Sequence, residues 1–153
     1  MDTTKTTMWT KQEQAMHRTQ WIRALRSKLY KQGESYLRQD TADKKDQEYC
    51  CLGVACNISG LGKWNRFTVT EGLYEYTVEG KEGVEEITQA ASSTLPQAVA
   101  DWLGLAASRG DMVLNGVSTS LSILNDTDKL EFPEIAGIIE KEPGGLIKRG
   151  END

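Results

Sequence analysis

One apolar segment dominates the first half of the chain: Tyr49-Cys50-Cys51-Leu52-Gly53-Val54-Ala55-Cys56-Asn57-Ile58. Its larger apolar residues recur at helical spacing, and Ser59-Gly60 follow where such a helix would end. The preceding run 39–48 has no apolar side chain larger than alanine and predicts an exposed connection. The segment therefore predicts a short helix with one buried face.

A longer helix is predicted on the N-terminal side of this segment. Thr10 and Glu13 have the Thr-x-x-Glu spacing of a capping box, in which the hydroxyl and the carboxylate each accept a backbone N–H. Apolar residues then recur at helical spacing as far as Leu29, and Gly33 lies where a left-handed cap would end the helix. We expect an amphipathic helix with a basic outer face.

Three further helices are predicted in the second half of the chain. The run 94–97 is a second capping box, and the helix that it begins should end at Gly104. Ser118 or Thr119 is a candidate cap for a short helix. The range 132–142 predicts the last helix, because its isoleucines share one face and Pro-Gly-Gly follows.

Between these helices the apolar period changes from 3.6 to 2. The runs 67–70 and 74–79 alternate apolar and polar residues, and Glu71-Gly72 between them predicts a hairpin turn. A second turn is predicted over 80–83, before a shorter strand over 84–88. The sequence therefore predicts an α+β fold, with about four helices packed around a small antiparallel meander.

Length, composition and charge restrict the class of protein. The chain has 153 residues, 38% hydrophobic and 27% charged, which predicts a single domain over 1–153 with flexible ends at about 1–9 and 144–153. No apolar run is long enough to span a membrane, and the N-terminus lacks the apolar core of a secretion signal. A net charge of −5 disfavours a protein that coats long nucleic acids or membranes. We therefore expect a soluble, intracellular protein.

The charge is unevenly distributed. Residues 1–45 carry ten Lys and Arg against five Asp and Glu, or +5, whereas residues 46–153 carry eight against eighteen, or −10. A basic segment beside an acidic body either recognises an anion or docks on its own acidic partner. Both interpretations remain open at this point.

The three cysteines raise the possibility of a cysteine-dependent enzyme. Cys50 or Cys51 would lie at a helix N-terminus, which lowers the pKa of a thiol, and the single histidine, His17, would be the base. The competing interpretation is that the cysteines are small buried apolar residues. A disulfide scaffold is disfavoured, because the cysteines are odd in number, two of them are adjacent and the chain lacks a secretion signal. A zinc site is disfavoured, because three cysteines and one histidine lack the Cys-x2-Cys spacing, and neither phosphate-binding glycine motif occurs.

Several segments carry a resemblance to a known group of proteins. They are Trp21-x-x-Ala24-Leu25, Tyr49-Cys50-Cys51-Leu52-Gly53-Val54-x-Cys56, Leu95-Pro96, Trp102-x-Gly104-Leu105, Leu124-Asn125-Asp126 and Phe132-x-Glu134-Ile135. In these segments the chain resembles a widespread family of small, uncharacterised bacteriophage and prophage proteins. The resemblance implies a phage accessory protein that acts in the host bacterial cytoplasm.

By analogy with phage proteins of this size, we expect an anti-defence or host-takeover protein that works by non-covalent binding, without catalysis or a cofactor. It would sequester a small anionic nucleotide signal of host immunity or inhibit a host bacterial protein, and it could be a homo-oligomer. A virion or assembly component is a further alternative. A nucleotide site needs convergent cations and aromatic stacking surfaces. The candidate ligand-binding residues are Trp21, Arg23, Arg26, Tyr49, Trp64, Arg66 and Asn125.

Overall fold

The structure is a computed structural model that describes residues 9–67, 70–80 and 88–148. The helices within those residues are α1 (Lys11–Arg26), α2 (Cys51–Ser59), α3 (Gln97–Leu103), α4 (Leu121–Asp126) and α5 (Phe132–Glu140). The strands are β1 (Lys31–Gln32), β2 (Arg38–Asp40), β3 (Gln47–Tyr49), β4 (Lys63–Arg66), β5 (Tyr74–Val78), β6 (Gln89–Ala91), β7 (Asp111–Leu114) and β8 (Val117–Ser120). The predicted α+β class, with about four substantial helices, is confirmed.

The described strands form three small sheets. In the first sheet the order is β1-β3-β2, where β1 runs parallel and β2 antiparallel to β3. The second sheet, β4-β5-β6, is an antiparallel meander, but its first strand is Lys63–Arg66 and not the predicted run 67–70, of which residues 68–69 lie outside the described residues. The third is the antiparallel pair β7-β8.

Helix α2 forms the centre of the hydrophobic core. Its residues 51–56 are all buried, and it packs against α1, α3 and α4. Burial of one large apolar side chain stabilises a fold by about 1.5–3 kcal/mol. The largest fully buried side chains include Trp21, Leu25, Leu37, Leu52, Leu103, Leu121, Ile135, Ile139 and Leu146.

Several predicted helix ends are confirmed. The Thr10 side chain accepts from the backbone N–H of Glu13, and the Glu13 carboxylate accepts from the backbone N–H of Thr10. Helix α2 ends at Gly60 and α3 ends at Gly104, both with left-handed backbone conformations. Glycine adopts this conformation without the steric cost that a side chain would add.

The predicted end of the first helix is wrong. Helix α1 stops at Arg26, not at Gly33, and Ser27 caps it through a hydrogen bond from its hydroxyl to the Ala24 carbonyl oxygen. Lys28 then turns the chain with a φ of 65°. The next residues, 31–32, pair with β3, because tertiary strand pairing outweighs their local helical pattern.

Two further predictions are wrong, and they concern the segments that precede α2 and α3. The polar run 39–48 is not simply a connection, because most of β2 and β3 lie in it and pair antiparallel. The Thr94–Gln97 capping box does not form; Pro96 precedes the first turn of α3 without a side-chain cap. Gln97 donates instead to the Asp101 side chain within the helix.

In the second half of the chain, the cap of α4 is Ser120 and not Ser118 or Thr119, because the Ser120 hydroxyl accepts from the backbone N–H of Ile123. The turn at Gly72 is confirmed by its φ of 83°. Most of the predicted strand 84–88 and of the turn 80–83 lies outside the described residues, and the third strand of the meander is β6.

The predicted flexible ends are described in part. Residues 1–8 and 149–153 lie outside the described residues. Within the C-terminal range, Leu146 is fully buried and Ile147 forms a bridge with Leu105. Residues 144–148 are therefore part of the packed fold.

Candidate functional site

Two of the small sheets turn polar and aromatic side chains towards each other. Side chains alternate along a strand, so residues that are paired across a ladder share one face of the sheet. The first sheet contributes residues from β2 and β3, and the second sheet contributes residues from β4 and β5. The residues are Arg38, Asp40, Gln47, Tyr49, Trp64, Arg66, Tyr74 and Tyr76, which we call the aromatic–arginine cluster.

Arg38 occupies the middle of the cluster. Its guanidinium carbon lies 4.4 Å from the ring centroid of Tyr74, 5.4 Å from that of Trp64 and 5.7 Å from that of Tyr49. Its hydrogen bond to Gln47 is long, at 3.3 Å, and its Nε is buried without a hydrogen-bond partner. Among the described residues, no carboxylate forms an ion pair with Arg38. Ring faces therefore hold this cation in place of an acidic partner.

Asp40 supplies the negative charge of the cluster. The Tyr74 hydroxyl donates to Asp40 Oδ1 at 2.9 Å, and Arg66 Nη1 donates to Oδ2 at 3.1 Å. The hydrogen bond from Tyr74, with those from Arg66 and Gln47, lowers the pKa of Asp40 against the opposing effect of burial. Asp40 is therefore a fixed carboxylate that neutralises Arg66.

The aromatic rings contact one another in series. Tyr30 meets Tyr49 edge-on at 5.1 Å between centroids, Tyr49 meets Trp64 at 6.0 Å, and Trp64 meets Tyr76 at 4.9 Å. Asn57 at the end of α2 joins this series, since it donates to the Tyr30 hydroxyl and accepts from Trp64 Nε1. Such edge-to-face pairs fix ring orientation. Helix α2 thus orients Trp64.

The cluster is buried on one side and open on the other. Tyr74 and Tyr76 are 5% and 2% exposed, respectively, whereas the Arg66 side chain is 61% exposed. Trp64 and Tyr49 are half-buried between these extremes. A ligand could therefore reach the arginine and the partly exposed rings from solvent.

The structure brings together three of the seven predicted ligand-binding residues. Tyr49, Trp64 and Arg66 are members of the aromatic–arginine cluster. Trp21 is fully buried and donates from Nε1 to the Cys51 carbonyl oxygen. Asn125 is 1% exposed, and its amide is saturated by hydrogen bonds within the fold. Trp21 and Asn125 are therefore buried in the core, where their polar groups bond to other parts of the fold and not to solvent.

The two other predicted residues lie in a groove between α1 and α5. This groove has a volume of about 380 Å³, and both Arg23 and Arg26 line it. Arg26 forms an ion pair with Glu140 at 3.0 Å, and Arg18 forms one with Glu142 at 3.5 Å. Part of the basic face of α1 is therefore neutralised by the acidic end of α5 and its flank, as one of the two interpretations of the charge split anticipates.

The cysteines are buried side chains of the core. Cys50 is 4% exposed, and Cys51 and Cys56 are fully buried. Burial raises the pKa of Cys50 to about 12, which outweighs the helix N-terminus at which it lies, and raises the pKa of the other two thiols well above the ordinary value. His17 stacks on Trp102 and bonds to its carbonyl oxygen. This arrangement favours the structural interpretation of the cysteines over the catalytic one.

Within residues 9–67, 70–80 and 88–148, no group of three or more His, Cys, Asp or Glu side chains is placed to hold a metal ion. No helix in the described part of the chain is long and apolar enough to cross a membrane.

Comparisons with known proteins identify a family. The family described as "Domain of unknown function (DUF8296)" matches residues 13–143, which is most of the chain. The chain belongs to the DUF8296 family. No curated protein and no solved structure shows a significant match to it.

The whole aromatic–arginine cluster lies within the part of the chain that matches DUF8296. Five of its members, Arg38, Asp40, Gln47, Tyr74 and Tyr76, were not among the predicted site residues. Arg38 and Asp40 lie at the start of a polar run without a motif, and Tyr74 is indistinguishable from an ordinary inward strand residue. The one available signal was the two-residue alternation of Arg38 and Asp40, which is typical of neighbours on one face of a strand.

Proposed function

We propose that the protein binds a small anionic nucleotide, without catalysis, at the aromatic–arginine cluster. The observation that carries this proposal is Arg38, a cation among three aromatic rings with no acidic partner among the described residues. Nucleotides combine a flat base with a phosphate. Aromatic side chains stack on bases, and arginine recognises phosphate with its planar set of donors.

The open side of the cluster supports the same proposal. Arg66 is exposed and lies 4.8 Å from the Tyr74 ring centroid, while Trp64 is partly exposed beside Arg38. A base that stacks on Trp64 would place its phosphate near one or both guanidinium groups. The hydrogen bond from Trp64 to Asn57 fixes the indole before binding, which reduces the ordering cost.

The biological role that we propose is that of a phage accessory protein. It would sequester a nucleotide signal of host immunity in the host bacterial cytoplasm, which requires binding but no chemistry. The resemblance to phage proteins and the buried, protonated thiols support this role. The amount of nucleotide that such a protein sequesters depends only on its concentration and on its affinity for the nucleotide.

Isothermal titration calorimetry tests the proposal directly. The purified protein is titrated with cyclic mononucleotides, cyclic dinucleotides and ADP-ribose-type nucleotides. We expect at least one to bind, and we expect Arg66→Gln and Trp64→Ala to weaken that binding by about tenfold or more. Circular dichroism would establish that each variant is folded.

Two matched controls lie on other surfaces. Arg23→Gln removes an exposed guanidinium in the α1–α5 groove, and Lys63→Gln removes a cation from the opposite face of β4. Both variants should bind as the wild type does. Absence of binding by every nucleotide would contradict the proposal, and capture of a specific host protein in a pulldown would then support the inhibitor alternative.

A further inference from the structure

The charges of the aromatic–arginine cluster restrict the nucleotide that it accepts, and this inference rests on the proposed function. Two guanidinium groups, Arg38 and Arg66, face one carboxylate, Asp40, so the cluster carries one net positive charge. Two ion pairs beside the cluster, Lys44 with Glu71 and Lys31 with Asp46, are each neutral as a pair. Glu75 lies on the opposite face of β5 from Tyr74.

Asp40 cannot readily turn away from an incoming ligand. Its carboxylate accepts from the Tyr74 hydroxyl and from the side chains of Arg66 and Gln47, and it is only 12% exposed. Any phosphate that approaches Arg66 therefore also approaches this fixed negative charge. Like charges at short range in a partly desolvated site repel strongly.

We infer that the cluster selects nucleotides whose phosphate is a diester over nucleotides with a terminal phosphate group. A phosphodiester carries a single negative charge, which matches the net charge of the cluster. A terminal phosphate carries about −1.5 to −2 near pH 7, and a triphosphate carries more. The excess negative charge would remain beside Asp40 without a partner.

Arg38 is the residue that would hold the diester. Its stacked position leaves one N–H group buried without an acceptor, which is costly in a folded protein. Because rings rather than carboxylates hold the guanidinium, a small side-chain shift can give its donors a phosphate oxygen without breaking an ion pair. Arg66, in contrast, already donates to the Asp40 carboxylate, so a phosphate would compete with Asp40 for this guanidinium.

Competition calorimetry with nucleotides of matched base tests this inference. The probes are cyclic AMP, AMP and ATP, and the corresponding guanine series of cyclic GMP, GMP and GTP, with cyclic di-GMP as a larger diester. We expect the diesters to bind about tenfold or more tightly than AMP, ATP, GMP or GTP. Asp40→Asn should reduce that preference to about threefold or less, because it removes the fixed charge and keeps the side-chain shape. Asp111→Asn, which removes an exposed carboxylate in β7 that pairs with Arg109, outside the cluster, should leave the preference unchanged.

The possible outcomes separate this inference from the proposed function. Binding of AMP, ATP, GMP or GTP as tight as that of the cyclic nucleotides would overturn the inference and leave nucleotide binding intact. An unchanged preference in folded Asp40→Asn would also overturn it. Failure of every probe to bind would overturn both.

Discussion

The backbone of Leu37 lies directly against Gly53, so that a β-carbon at position 53 would overlap the Leu37 carbonyl oxygen. Leu37 immediately precedes Arg38, and Gly53 lies in the first half of α2. The glycine of the Tyr-Cys-Cys-Leu-Gly-Val segment therefore permits the close approach that fixes β2 on the central helix. The position of the aromatic–arginine cluster depends on this contact between a helix and a strand backbone.

Replacement of this glycine should destabilise the protein. We expect Gly53→Ala to lower the free energy of unfolding by about 3 kcal/mol, because backbone atoms at the contact must move. Urea denaturation measures the change. Gly137→Ala is the matched control, since Gly137 lies in α5 with no atom near the added β-carbon and should gain about 0.5–1 kcal/mol from helix propensity. Equal stability of the two variants would contradict the proposed contact.

Asn125 joins three separate parts of the chain. It donates to the Gly33 carbonyl oxygen at 2.8 Å, and it accepts from Gln32 at 2.9 Å and from the backbone N–H of Cys51 at 3.2 Å. Asn125→Ala would remove the side-chain partner of the Gly33 carbonyl oxygen and of the Cys51 backbone N–H, and we expect a loss of about 2–4 kcal/mol in thermal or chemical unfolding. Asn65→Ala, at an exposed strand position, should change stability by about 0.5 kcal/mol or less. A similar small change in Asn125→Ala would show that this network contributes little.

The three thiols should be unreactive in the folded protein. Burial raises the pKa of Cys50 to about 12 and the pKa values of Cys51 and Cys56 well above the ordinary value, so little thiolate exists near neutral pH. We expect iodoacetamide to alkylate the native protein much more slowly than it alkylates glutathione, and all three thiols to react after unfolding in guanidinium chloride. A native thiol that reacts faster than glutathione would restore the enzymatic alternative.

The charge on Asp40 should make stability depend on pH in the acid range. Hydrogen bonds from Tyr74, Arg66 and Gln47 hold the pKa of Asp40 below the ordinary value of 3.8, so the folded state favours the carboxylate. This contribution is fully present above about pH 4 and is lost as the pH falls through the folded-state pKa. Urea denaturation of wild type and Asp40→Asn should therefore show a stability difference that narrows in strong acid. Tyr74→Phe, which removes the largest cause, should weaken the effect, and a difference independent of pH would contradict it.

Local sequence signals predicted much of the helical part of the fold. The capping box at Thr10, the apolar segment of α2 and the glycines at positions 60 and 104 act within one or two turns, so each can be recognised from neighbouring residues alone. The predicted end at Gly33 failed because a parallel pairing with the distant strand β3 takes over residues 31–32. Local propensity contains no information about that partner.

The candidate site was predictable only in part for the same reason. Tyr49, Trp64 and Arg66 have side chains that suit nucleotide recognition wherever they lie. Their convergence with Arg38 and Tyr74 depends on how the two sheets meet at the bridge between Gln39 and Leu73, which no spacing in the sequence encodes. Trp21 and Asn125 have equally suitable chemistry, but the fold uses them inside the core.

The residues of the aromatic–arginine cluster lie close together in the sequence, and this affects how fast the cluster can fold. All of its residues come from the single stretch 38–76, whereas the contact between Arg26 and Glu140 joins residues 114 positions apart. Closing a short loop costs less chain entropy than closing a long one, and native contacts of low sequence separation generally favour rapid folding. We therefore expect the cluster and α2 to assemble before α5 docks on α1.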